Sequence, residues 1–75
     1  MRHYRTDLNN IVQKYRLRMK YEEHCDGPQH EPTWTVCVYI GEIPYGRHSA
    51  RSQGGAREGA AKLAVEALEE AGYYI

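Results

Sequence analysis

The sequence predicts an α+β domain of order α-β-β-β-α: a three-stranded antiparallel sheet with two helices packed on one face. Three observations carry this. Near the start, Leu8, Ile11, Val12 and Tyr15 fall at i, i+3, i+4 and i+7, the spacing of one helix face. In the middle, Trp34, Val36, Val38 and Ile40 alternate with Thr33, Thr35, Cys37 and Tyr39 at a period of two. Toward the end, an alanine-rich stripe returns to helical spacing. With 75 residues the chain makes one domain, near the lower size at which a fold can do without a metal or disulfides. Its core must therefore be one layer of helices laid on one small sheet.

The first helix is expected over about residues 7–17, with Thr6 or Asp7 capping its exposed N–H groups. Its outer face carries Asn9, Asn10, Gln13 and Lys14, polar but mostly uncharged. Met19 to His24 reads as a short strand with Met19 and Tyr21 on one side. The connection that follows, "GPQHEPTW" (27–34), holds two prolines and a histidine at its tip, an unusual investment for a turn between strands. After the alternating second strand, Gly41-Glu42 supplies a tight turn. A third strand is expected from about Ile43 to Arg51, with Pro44 confining its start to an edge or a first residue. Ser52 is a good N-cap for the last helix, whose apolar stripe reads Ala56, Ala60, Leu63, Ala64, Ala67 and Ala71, widened by Val65 and Leu68. Glu58, Lys62, Glu66, Glu69 and Glu70 line its other side, and Gly72 ends it. On this reading residues 1–6 are an extension, 7–72 the domain and 73–75 a tail, whose Tyr73 and Tyr74 are placed to pack over the sheet's end.

Ten basic and ten acidic residues cancel, but they are not evenly spread. Residues 1–20 hold six basic side chains (Arg2, Arg5, Lys14, Arg16, Arg18 and Lys20) against Asp7 alone. Residues 21–45 hold five acids and no Lys or Arg; Arg47, Arg51 and Arg57 then restore positive charge. Folding the first and third blocks together gives a basic face suited to a polyanion; ordinary solvated surface is the alternative. Cys25 and Cys37 make no disulfide framework, and Cys37 reads as a reduced, packed thiol. His24 and Cys25 are adjacent and so point to opposite strand faces, and no pair has the spacing of a structural zinc site. No metal, cofactor, catalytic residue or small-molecule substrate is expected. With no signal peptide, long apolar segment or lipidation motif, an intracellular compartment is the default and no membrane partner is expected.

"SQGGAREGAA" (52–61) places Gly54 and Gly55 in a first helical turn, where glycine is costly. Two reasons are open. A bare backbone lets an anion approach the positive helix end, with Arg51 and Arg57 flanking it. Alternatively, the glycines allow the third strand to pack tightly on the helix.

Three segments, in order and at the right separations, resemble the double-stranded RNA-binding domain family from about Asp7 to Ala71. "LNNIVQK" is similar to the family's first helix. "YEEHCDGPQHEPTW" is similar to its Tyr-Glu followed by Gly-Pro-x-His-x-Pro-x-Phe, with Trp34 in the aromatic place. "YGRHSARSQGGAREGAAKLAVEAL" covers its third strand and second helix. The resemblance implies a domain that binds duplex RNA by shape over about 16 base pairs, inside an RNA-processing or silencing protein. It implies that Pro28, Gln29 and His30 enter one minor groove and that Asn9, Asn10 and Gln13 read 2′-hydroxyls in another. Arg51, Gln53, Gly54 and Arg57 would hold the phosphates between. Gly27, Pro28 and Pro32 would stiffen the loop, so that little ordering is needed on binding. Two departures stand out. The family's Lys-Lys-x-Ala-Lys reads "QGGAR" here, which removes about two phosphate contacts. His48 stands where the family has a glycine. The alternative is a docking or homodimerisation module working through a sheet edge or through Tyr39 and Tyr45.

Overall fold

Five elements follow one another: α1 (Tyr4–Tyr15), β1 (Met19–Asp26), β2 (Thr33–Ile40), β3 (Ile43–Ala50) and α2 (Gln53–Glu70). This computed structural model describes residues 3–74; Met1 and Arg2 of the expected extension, and Ile75 of the expected tail, lie outside the described residues. The strands pair antiparallel in the order β1-β2-β3, a meander with both helices against one face.

Alternation in β2 decides which side is covered. Val36 and Val38 are fully buried, and Ile40 nearly so, beneath Leu8 and Ile11 of α1 and Val65 and Leu68 of α2. Cys37 and Tyr39 stand on the opposite face. In α2 the buried residues are mostly alanines, and the shortness of their side chains brings helix and sheet together. Backbone meets backbone closely at Gly46 of β3. A Cβ there would sit 2.3 Å from the Ala60 carbonyl oxygen and 2.8 Å from the Ala64 nitrogen. Leu63, expected on the buried stripe, is instead 41% exposed. It lies beside Gly46, and β3 is an edge strand with no neighbour to cover it. Ala71, also expected there, caps the helix end and is exposed.

α1 begins three residues before the expected Asp7 and stops at Tyr15 rather than residue 17. Thr6 and Asp7 therefore lie inside the helix and do not cap it. His3 occupies the cap position without a side-chain bond. The capping acceptor comes from α2: Glu58 Oε1 accepts from the Tyr4 N–H (2.7 Å) and Oε2 from Arg5 Nε (3.0 Å). A carboxylate there also suits the positive helix end. At the other end Arg16 adopts a left-handed conformation (φ 54°), and the Leu17 N–H closes on the Val12 carbonyl (2.9 Å).

β1 runs to Asp26, two residues past the expected His24, because Thr33 and Trp34 continue the ladder opposite it. β3 ends at Ala50, one residue before the expected Arg51, and a register shift near Tyr39 lets Pro44 sit opposite that residue. The two-residue turn at Gly41 (φ 65°) is as expected, and so are the Ser52 cap and the left-handed Gly72 (φ 97°) that closes α2. Of the closing tyrosines, Tyr73 packs against the core. Tyr73 meets the Tyr15 ring edge-on at 5.0 Å, while the Tyr74 carbonyl accepts from Tyr15 Oη (2.9 Å) and Lys14 Nζ (3.0 Å). With Tyr4 held near the start of α2 and Tyr15 just past its end, the helices run parallel.

Candidate nucleic-acid interface

Strand register brings the hairpin tip and the entrance of α2 to one end of the sheet. Cys25, Trp34 and Ala50 lie opposite one another across the three strands. The loop at 27–32 leaves from the first two, and α2 begins three residues after the third. Because the helices are parallel, the start of α1 points toward the same end.

The tip is built by its backbone. Gly27 has φ 90°, and a Cβ there would come within 2.7 Å of the Glu31 carbonyl oxygen, so only glycine fits. The Glu31 N–H donates to the Pro28 carbonyl (2.9 Å), closing a turn with Gln29 and His30 at its two central positions. Pro28, Gln29 and His30 are all exposed. Turn closure thus does not use the His30 imidazole.

At the α2 entrance the two glycines divide the two reasons offered for them. Gly54 is exposed, and a Cβ there would meet nothing within 4 Å. Gly55 is a close-packing residue: its N–H donates to Ser52 Oγ (3.0 Å), and a Cβ would lie 2.9 Å from that oxygen and 3.3 Å from Ala50 Cβ. With the Gly55 N–H taken by the cap, those of Gln53 and Gly54 have no protein acceptor among the described residues. Arg51 is exposed beside them.

Gln53 and Arg57 are already engaged. Gln53 Nε2 donates to Glu23 Oε1 (2.5 Å), and Arg57 Nε donates to Glu23 Oε2. The Glu23 side chain is only 20% exposed and that of Arg57 38%. Arg57, with Gln53, holds the Glu23 carboxyl below its ordinary range, while the bond to Glu23 raises the guanidinium. Beside this pair, burial raises the Tyr21 phenol above its ordinary value, against the pull of Arg5 and Arg57.

On α1, Asn9, Asn10 and Gln13 are exposed, as expected of its outer face. Asn9 shares a shallow cleft with Arg5, Thr6, Met19 and Tyr21, which places it toward β1. The basic blocks do not merge into one bare face. Arg5 is paired with Glu58 and Arg57 with Glu23. Arg47 pairs in register with Cys37 on the face away from the helices, because alternate strand residues point oppositely. His48 has a packing role: its ring covers Gly59 of α2, where a Cβ would lie 2.1 Å from the imidazole Cδ2. Neither Glu23 nor Glu58 was legible as a site residue, since their partners stand 34 and 53 positions away in the chain. Among the described residues no three His, Cys, Asp or Glu side chains gather as a metal site, and no helix is long and apolar enough to cross a membrane. Cys25 and Cys37 are both free thiols.

The family model for the double-stranded RNA binding motif matches residues 4–68. Among solved structures, the first dsRBD of protein HYL1 is similar, with 25% identity and a TM-score of 0.76 over 85% of this chain and 93% of that one. The structure of both dsRBDs of DRB4 with their linker gives 26% identity and a TM-score of 0.72, covering 91% of this chain and 44% of that one. The second dsRBD of DRB4 alone gives 27% and 0.67, covering 92% and 97%. Among curated proteins no sequence matches significantly.

Proposed function

Because the chain belongs to the double-stranded RNA binding motif family, we propose that it grips one side of an A-form duplex through three segments, as a non-catalytic module of an RNA-processing or silencing protein. The hairpin tip enters one minor groove, where His30 and Gln29 meet 2′-hydroxyls or base edges. The amides of Asn9, Asn10 and Gln13 lie along another, able both to donate and to accept. Between them, the free N–H groups of Gln53 and Gly54, with Arg51 and Arg57, face the phosphates that line the major groove.

The observation that supports this most is the shared sheet end. Strand register carries the proline-stiffened tip and the α2 entrance to it together, although 22 positions separate Ser52 from His30. A backbone-closed turn also reaches a groove with little loss of freedom on binding. The test is a titration of duplex RNA of about 20 base pairs, the matching DNA duplex and both single strands at two salt concentrations. Duplex RNA binds best, and His30→Ala, Arg51→Ala and Arg57→Ala each weaken it. Equal binding of all four nucleic acids, or of none, refutes the reading.

One observation favours a second reading, docking of a protein or a second copy. β3 is an open edge, and Ile43 on it is 61% exposed. Tyr45, the other residue considered for that surface, packs against the core, which leaves Tyr39 on the outer face. A concentration-dependent mass in sedimentation, without duplex RNA binding, would favour this second reading.

A further inference from the structure

Two side chains at the α2 entrance stand where the family pattern expects cations for phosphate, and both point at one carboxylate. Glu23 projects from β1, four-fifths covered, with one oxygen on Gln53 Nε2 and the other on Arg57 Nε. A two-oxygen anion that takes one bond from an amide and one from a guanidinium has the bonding pattern of a phosphate in the same seat. We propose that Glu23 is a built-in phosphate mimic, which occupies Gln53 and Arg57 and holds the domain's affinity for duplex RNA below what its arginines would otherwise give. This rests on the duplex-RNA reading and adds to it the residue that sets binding strength.

The electrostatics favour competition over simple positioning. An incoming phosphate about 4 Å from the Arg57 guanidinium would lie roughly 7 Å from the carboxylate behind it. Interaction energy falls as the inverse of distance, so repulsion from Glu23 cancels somewhat more than half of the attraction to Arg57. Arg57 has further guanidinium donors besides Nε, and its side chain is 38% exposed, so it can still face a phosphate. What the pair lacks is net charge. Arg5, which acts on Tyr21 beside this pair, is itself bound by Glu58, and exposed Arg51 at the helix entrance is the cation left to face a phosphate.

The experiment is a charge cycle. Parent, Glu23→Gln, Arg57→Gln and the double variant are titrated with a duplex RNA of about 20 base pairs at several salt concentrations, with circular dichroism and thermal melts as fold checks. Glutamine removes the charge and keeps one acceptor for Arg57 Nε, while its NH2 replaces the oxygen that accepts from Gln53, whose own amide can turn to accept in its place. Glu23→Gln is expected to bind roughly threefold tighter or more at about 50 mM salt, with a salt slope steeper by about one. Arg57→Gln binds more weakly, because it leaves the carboxylate bare. The double variant returns to within about twofold of the parent. Should the double variant be as weak as Arg57→Gln, or Glu23→Gln no tighter than a parent that does bind duplex RNA, Glu23 merely positions Arg57 and the proposal is overturned. If neither parent nor Glu23→Gln binds duplex RNA, the broader duplex-RNA reading has failed and takes this proposal with it.

Discussion

Gly54→Lys puts back one of the two missing cations at the α2 entrance, and the structure sets both of its effects. Gly54 is the second residue of α2, and a Cβ there meets nothing within 4 Å, so the substitution is sterically free. Lysine exceeds glycine by about 0.7 kcal/mol in helix propensity, less near an end. A cation in the first turn opposes the helix dipole by about 0.3–1 kcal/mol. These nearly cancel, so stability stays within about 0.5 kcal/mol of the parent. For binding, one more neutralised phosphate steepens the dependence of log K on log salt by about 0.9, taking the duplex-DNA value as a guide. Over a fourfold rise from about 50 to 200 mM salt, the variant's advantage then shrinks roughly 3.5-fold. The assay is fluorescence anisotropy with labelled duplex RNA across that range. Leu63→Lys, at an exposed site on the β3 flank of the same helix, controls for the added charge itself. A slope within about 0.2 of the parent, or an equal change in the control, would falsify a phosphate seat at this helix end.

Three further outcomes follow from packing and charge. Gly46→Ala drives a Cβ against the Ala60 and Ala64 backbone, which no rotamer change relieves. Urea denaturation should show a loss of about 3 kcal/mol or more, and a loss below about 1 kcal/mol would mean that α2 does not sit this close to β3. Gly59→Ala should destabilise the parent by roughly 1–2 kcal/mol through the His48 ring. In a His48→Ala background it should stabilise by about 0.5–1 kcal/mol, as alanine does in a helix; thermal melts that show the same sign in both backgrounds would rule out the contact. The folded-state pKa of Glu23 is lowered, so its contribution to stability is complete above the ordinary carboxylate range and is lost as pH falls through the folded value. The parent should therefore exceed Glu23→Gln in urea midpoint at pH 7, with the gap narrowing as acid takes the pH below the ordinary carboxylate range; a gap that acid leaves unchanged points to packing, not ionisation.

The amino-acid order alone determined the element sequence, the two helix stripes apart from exposed Leu63 and Ala71, the buried face of β2, the Ser52 cap and the Gly41 and Gly72 turns, because each rests on neighbours within a few positions. It also carried the family resemblance, and with it the segments proposed to meet RNA. What only the tertiary structure decided is where charges and voids meet across the chain. Glu58 caps α1, Glu23 takes Gln53 and Arg57, His48 fills the space over Gly59, and Arg47 stands with Cys37 on the sheet face away from the helices. Each of these joins residues from different elements at distances of a few ångströms. A local pattern shows that a side chain is charged or small; only packing shows which partner neutralises or covers it.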